Sequence, residues 1–552
     1  NGDDTIHTAQ VYFRDDGDYT FDISCTDKVL NENSSVNYGT SLAPQRFTID
    51  KIEPTVSIVY DNDTFKNGNY YDKARTATIT VNEHNFETSR VKAEVSATDN
   101  GVQRNAPALS SWTSNGDIHT ATITYSDDAH YIFNFEYTDM AGNKATAMER
   151  QEFYVDKTKP VVSISNIVDK SANGTDKSIG FNLKATDTNF DVFTPRLEAA
   201  VFENGKYINK NVTELGNISD VNNGREFIVS NIDQDGIYNI KCTVVDKAGN
   251  AYSEVILNSR DGSSYKENRS GEDRLLMFSV NRDGAVFELD STTSDLIDKY
   301  YVQNVTDDIK ITEINADSLI EYKVNLNSKA LIENEGLIVD ISGDDDEWKK
   351  YDYTIKKYKF EEEGEYKVVV SSKDKADNND FSDVKDAAIN FVVDRTAPVV
   401  SISGLAEDGR YQVQKQKVTL LPTDDGGEMK SLVVNLVDNN GEKVSELLNL
   451  TGDKLKEKLE NDNGRVNFEI SEGLYQNIQI ICTDCSVNEH GETNTYKEVF
   501  KNVSVSSNIF MIFWANRVLR YSVIGGIVLL IGTIIFVVVF KKRKSKEKTK
   551  CT

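Results

Sequence analysis

AHYIFNFEYTDMAGN, residues 129–143, sets Tyr131, Phe133, Phe135 and Tyr137 at every second position, with Ile132, Asn134 and Glu136 between them. Side chains of an extended chain point to alternate faces, so a period of two predicts a half-buried β-strand. The run closes on Asp139, Gly142 and Asn143. Asp and Asn side chains bond nearby backbone amides and Gly accepts positive φ, so the strand is predicted to end in a tight turn.

The same pattern occurs four more times: GDYTFDISCTDKVLN (17–31), GIYNIKCTVVDKAGN (236–250), GEYKVVVSSKDKADN (364–378) and GLYQNIQIICTDCSVN (473–488). Internal self-similarity at domain spacing marks tandem repeats. Tyr19, Tyr131, Tyr238 and Tyr366 each precede the turn Asp by eight positions, and Tyr475 precedes Asp484 by nine. One extra residue predicts a β-bulge after Tyr475 that brings Ile478, Ile480 and Cys482 onto the face of Asp484.

A second pattern lies between these units: FTIDKIEPTVSI (47–58), FYVDKTKPVVSI (153–164) and FVVDRTAPVVSI (391–402), with FSVNRDGAVFEL (278–289) as a variant that has Asn281 for Asp and no Pro. A strand ends in an acid, a basic residue and a Pro-stiffened link follow, and a new strand begins where the missing Pro N–H costs least. Junction spacings of 106, 125 and 113 residues fit β-sandwich modules of about one hundred residues. The predicted organisation is a half domain at 1–50, full domains at 51–157, 158–282, 283–395 and 396–505, a juxtamembrane segment at 506–520, a membrane helix at 521–540 and a basic tail at 541–552. Residue 1 is expected to fall in mid-domain, with further sequence, including an export signal, ahead of it.

The junction Asp-Lys-Thr-x-Pro, the acidic-Gly-x-Tyr entry and the Asp-x-Ala-Gly-Asn turn together resemble the bacterial immunoglobulin-like repeats of long Gram-positive surface proteins and large adhesins, over about residues 1–505. The resemblance implies that the five Tyr residues act as tyrosine corners. The antibody-type Cys two residues on is replaced by Phe21, Phe133, Ile240, Val368 and Asn477. It also implies that junction carboxylates hold calcium, although this fold hosts many functions.

YSVIGGIVLLIGTIIFVVVF, residues 521–540, carries no charge; as a helix at about 1.5 Å per residue it spans roughly 30 Å, the thickness of a bilayer's hydrocarbon. KKRKSKEKTK follows it, whereas Arg517 and Arg520 alone flank its other side, so the positive-inside bias puts the C-terminus in the cytoplasm and the body outside. Ile509, Phe510, Ile512, Phe513 and Trp514 read as a collar at the headgroup level. No LPxTG sorting motif precedes the helix.

Across 552 residues, 62 Lys and Arg stand against 89 Asp and Glu. The last twelve residues carry +6, leaving −33 on residues 1–540. So acidic a body repels phosphate backbones and excludes nucleic acid as the expected partner. Five His and five Cys leave little for acid–base, zinc or disulfide chemistry. Cys482-Thr-Asp-Cys485 is a lone CxxC without further ligands in view. Cys25 and Cys242 lie on the Tyr face of their repeat strands, six and four residues after Tyr19 and Tyr238, and are expected to be buried, and Cys551 falls in the tail. His7 and His119 recur before their strand Tyr and read as strand residues; Trp112 and Trp348 read as packing residues. The run Asp344–Glu347 lacks the Gly and Glu spacing of a calcium loop and reads as a solvated turn. No GxSxG, HExxH or phosphate-binding Gly loop occurs, and no catalytic residue is assigned.

The candidate metal ligands are the junction acids Asp50, Asp156 and Asp394 together with the turn residues Asp139, Asn143, Asp246, Asn250, Asp374 and Asn378. The turn of the same domain, as at Asp139 and Asn143, is expected at the pole of its junction acid. Calcium takes six to eight oxygens, and extracellular modules bind it at about 10⁻⁴ to 10⁻³ M. Lys51, Lys157 and Arg395 follow the acids and oppose binding, an Asx-turn explains the turn Asp without metal, and the Asn281 junction is expected to bind most weakly and to be the most flexible. No cofactor is required, calcium being the one candidate. The expected function is a non-catalytic stalk or adhesin held in the plasma membrane by residues 521–540, with an extracellular protein or glycan partner that the sequence leaves open. The alternatives are the tail of a surface hydrolase whose catalytic domain lies upstream, and a surface receptor or glycan-binding protein.

Overall fold

The computed structural model describes residues 7–34, 45–174, 178–252, 255–258, 264–265, 274–344 and 347–548. Asp345, Asp346 and Cys551 lie outside the described residues. The chain is all-β: Ig-like sandwiches in tandem, then a C-terminal helix long and apolar enough to cross a membrane. Two compact units divide it, residues 1–171 with 176–280, and 172–175 with 281–552.

In the first unit, Ala129–Tyr137 is the strand the alternation predicts, its odd-numbered residues buried and its even-numbered ones turned outward. It pairs antiparallel with Gln151–Val155 and Val91–Asp99 in a five-stranded sheet. A four-stranded sheet, ordered Thr113–Asn115, Ile118–Tyr125, Arg75–Asn82, Thr55–Tyr60, faces it. Their inner faces meet in an aromatic core that includes Tyr125, Tyr131, Phe133 and Phe153. Side chains of this size bury roughly 150–250 Å² each. The pair following it, a six-stranded and a five-stranded sheet, encloses the core around Phe181, Phe227, Tyr238 and Phe278.

The second unit holds two further cores, one around Tyr353, Phe360, Tyr366 and Phe391 and one around Val434, Phe468, Ile478 and Ile480. Register shifts between Gly473, Gln476 and Ile478 mark the expected bulge. Beyond it Ile478, Ile480, Cys482 and Asp484 are all fully buried. Two helices that alternation gives no sign of, Ser291–Lys299 and Asp453–Asn461, interrupt the strands. The first is started by Asp290, whose side chain accepts the Thr293 N–H at 2.9 Å, as N-caps do. The collar folds as Ile509–Ala515, and the long helix runs from Arg517 to Lys548, starting before the apolar run and extending beyond it.

Four of the five repeat tyrosines form the corner. Tyr19, Tyr131, Tyr238 and Tyr366 donate their hydroxyl hydrogen bonds to the carbonyls of Asp15, Asp127, Gln234 and Glu362, at 2.7–2.9 Å. Cys242 is buried, but Cys25 is exposed, contrary to the expectation. Its strand, Ser24–Thr26, pairs only with Glu32–Ser34, and no second sheet covers that hairpin among the described residues.

Candidate metal centres at the domain junctions

Each turn Asp is built before it meets anything distant. Asp139 Oδ1 accepts the backbone N–H of Gly142 and Asn143 at 2.7 and 2.8 Å, and its Oδ2 accepts Asn143 Nδ2 at 2.7 Å. Asp246 and Asn250 repeat the arrangement, as do Asp374 and Asn378. The Asn then reaches across the sandwich pole. Asn143 Nδ2 donates to the Asp50 carbonyl at 3.1 Å, Asn250 to Asp156 at 2.8 Å and Asn378 to Asn281 at 2.8 Å.

These bonds correct the expected pairing. Asp139 and Asn143 lie beside Asp50, the acid that precedes their domain, and not beside Asp156, which closes it. A strand that ends at one pole delivers its last residue to the next sandwich, where the late turn of that sandwich receives it. In the fifth copy the long strand Gly473–Val487 continues past the expected turn. Asn494 therefore replaces Asn488, donating to the Asp394 carbonyl at 3.1 Å and to Asp484 Oδ2 at 3.0 Å.

A third carboxylate completes three of the sites. Asp50, Glu83 and Asp139; Asp156, Asp187 and Asp246; and Asp394, Asp424 and Asp484 each place one carboxylate oxygen per residue within 4.8 Å of the others. Glu83, Asp187 and Asp424 follow the early strands Arg75–Asn82, Phe181–Thr186 and Lys415–Thr423. With Asp484 and Asn494, they are the residues the candidate set lacks. The sequence carries a signal for two of them, an early strand ending in an acid with Asn two residues on, at Glu83-His84-Asn85 and Asp187-Thr188-Asn189.

Charge is crowded in these sites. Burial, reinforced by Asp187, Asp246 and Asp128, pushes the Asp156 carboxyl up to about 6 despite the bond from Asn189. Burial likewise pushes Asp484 up to about 6, with Asp394 and Asp424 adding to it. Glu83, Asp187 and Asp246 are raised for the same first reason. A like charge at such range disfavours ionisation, and a divalent cation would reverse the effect. Asp424 Oδ1 accepts from Gly426 and Gly427, whereas its Oδ2 is buried without a hydrogen-bond partner. Gly427 lets the backbone close on the site, since a Cβ there would lie 2.4 Å from Asp394 Oδ2.

The basic residues after the acids turn elsewhere. Lys51 Nζ donates to the Arg14 carbonyl, and Arg395 Nη2 to the Glu361 carbonyl. Lys157 Nζ lies 3.9 Å from Asp128. Their cationic groups engage the segments that lead into the strands Gly17–Phe21, Ala129–Tyr137 and Gly364–Asp374, so they do not neutralise the clusters.

The other sequence candidates are structural in their surroundings. His119 is buried, stacked on Phe86, and bonded to the Glu83 carbonyl and Ser114 Oγ. Trp112 packs on Phe86, and Trp348 is buried. Burial pushes the Cys482 thiol up to about 12 and raises that of Cys485, which opposes the thiolate that metal or redox work needs.

No family model and no curated protein matches the chain. Among solved structures it is similar to Dpr2 Ig1-Ig2 in complex with DIP-Theta Ig1-Ig3, at 10% identity over 59% of this chain and 97% of that one, with a TM-score of 0.28. It is also similar to the Escherichia coli adhesin FdeC, at 12% identity over 62% and 96%, TM-score 0.20. Fibronectin(III)-like modules of Clostridium thermocellum CbhA match at 12% identity over 40% and 95%, TM-score 0.18.

Proposed function

We propose that the chain is a non-catalytic cell-surface stalk or adhesin, a bacterial surface protein of Gram-positive type, whose junctions bind calcium. Residues 521–540 anchor it in the plasma membrane, the sandwiches stand outside, and the basic tail is cytoplasmic. Its partner is an extracellular protein or glycan. The observation that carries this reading is a series of Ig-like sandwiches with carboxylate triads at their poles, followed by a helix whose 29 residues from Arg517 to Ser545 include an apolar span. Three carboxylates supply the charge and several of the oxygens that calcium requires, water completing the shell. Asp424 Oδ2, buried and without a hydrogen-bond partner, fits a role as a cation ligand. At the poles of Asp50, Asp156 and Asp394, one ion would tie the end of one sandwich to an early strand and a late turn of the next.

The test of anchorage is truncation. Expressed in an exporting host, the full chain is expected in the membrane fraction, with its sandwiches digested by protease added to intact cells. The chain ended at residue 507 is expected in the medium, because its one long apolar segment is gone and strong negative charge remains. Retention of the shortened chain in the membrane would refute the anchor.

A further inference from the structure

The cluster at Asn281 reuses the positions of the other three with acid and amide exchanged. Asn281 stands where Asp50, Asp156 and Asp394 stand, and Asp374 is the turn Asp. Asn315 Oδ1 accepts the backbone N–H two residues on, at Asp317, just as Glu83 and Asp187 accept from Asn85 and Asn189. Asn315 therefore fills the third-carboxylate position and Asp317 the position of the following Asn. Where Asn189 Nδ2 donates to Asp156 Oδ2 at 2.8 Å, the direction is reversed here, with Asn281 Nδ2 donating to Asp317 Oδ2 at 3.2 Å.

The Asn281 amide nitrogen also lies 2.7 Å from Asp374 Oδ2 and 2.8 Å from Asn315 Oδ1. The residue is fully buried, and its own Oδ1 has no hydrogen-bond partner. A buried acceptor left unsatisfied is costly. The amide orientation is therefore set by the three oxygens on which Nδ2 converges. A group bearing positive hydrogens, faced by three oxygens from two chain segments, occupies the centre that a cation would take.

We propose that residue 281 determines metal occupancy: its carboxamide substitutes for the ion, and this copy binds no divalent cation. The inference rests on the calcium reading of the other three clusters. It separates one chain into three cation-dependent sites and one that is satisfied by its own side chain.

The experiment is equilibrium dialysis of radioactive calcium against the detergent-solubilised full chain, at pH 7.5 in physiological salt. The wild type is expected to hold three ions, Asn281→Asp four and Asp156→Asn two. Four ions on the wild type, or three on Asn281→Asp while Asp156→Asn falls to two, would overturn the inference and leave the calcium reading standing. No tightly held ion on the wild type would overturn the calcium reading, and this inference with it. Should Asn281→Asp fail to fold, the triple variant Asp156→Asn, Asp187→Asn, Asn189→Asp copies the 281 arrangement at the second junction. It is expected to lose one ion and to melt at a higher temperature than the wild type in chelator. Loss of the ion without that gain would overturn the substitution of amide for metal.

Discussion

The Tyr475 hydroxyl accepts a hydrogen bond from Arg520 Nη1 at 3.2 Å and donates one to the Trp514 carbonyl at 3.3 Å. Its four counterparts donate instead to a carbonyl four residues upstream. The bulge puts Tyr475 at φ 57°, a left-handed conformation that costs a bulky residue about 1–3 kcal/mol. The ring thereby leaves the corner and meets the collar, with the Arg517 and Arg520 guanidinium groups 5.7 and 6.0 Å from its centroid.

Tyr131→Phe is expected to destabilise its sandwich by about 1 kcal/mol, the worth of one buried hydrogen bond. Tyr475→Phe is expected to leave sandwich melting nearly unchanged but to speed trypsin cleavage after Arg520 in nanodisc-embedded protein. Equal cleavage rates in wild type and variant would show that the hydroxyl does not hold the collar.

Glu313 is fully buried and accepts hydrogen bonds from Tyr353 Oη at 2.8 Å and Ser372 Oγ at 2.6 Å. Burial pushes its carboxyl up to about 7, despite both bonds, with Asp380 and Asp374 adding to the rise. The folded state therefore binds the proton more tightly than the unfolded one. Its contribution to stability is complete below about pH 4.5, the ordinary value, and is lost as pH rises through about 7. Glu313→Gln, melted alongside the wild type from pH 5 to 8 in excess calcium, is expected to gain relative stability as pH rises. A constant difference would assign Glu313 an ordinary carboxyl.

Thiol accessibility follows burial. In native protein treated with iodoacetamide at pH 8 and mapped by mass spectrometry, Cys25 is expected to be alkylated first, with Cys242 and Cys482 protected until unfolding. Early modification of Cys482 would contradict its placement between the sheets.

The strands were legible because alternation reports a sandwich face directly, and the Tyr and Asp-x-x-x-Asn patterns fixed corner and turn locally. The third carboxylate was not, because Glu83 and Asp139 lie 56 residues apart and converge only through sheet pairing. Glu313-Ile-Asn315 illustrates the difficulty. It matches Glu83-His-Asn85 by letter, while the hydrogen bonds shift the equivalence two residues on, to Asn315 and Asp317. Glu313 is left as a core residue.

Asp424→Asn is expected to change stability with opposite sign in the two states. In chelator, the amide relieves an unpartnered carboxylate and raises the melting temperature. In millimolar calcium, loss of a ligand lowers it. A change of the same sign in both conditions would rule out Asp424 as a ligand.

The most direct measurement is thermal unfolding of the full chain in detergent, in millimolar calcium and in chelator, at pH 7.5 and again at pH 5. At pH 7.5 millimolar calcium is about one to ten times a dissociation constant of 10⁻³ to 10⁻⁴ M and stabilises each site by about 0.4–1.4 kcal/mol, so calcium is expected to raise the melting temperature. At pH 5, where Asp156 and Asp484 with values of about 6 are mostly protonated, the gain is expected to shrink. Superimposable curves with calcium and chelator at pH 7.5 would contradict the account and leave the junction acids as turn formers and solvating charge.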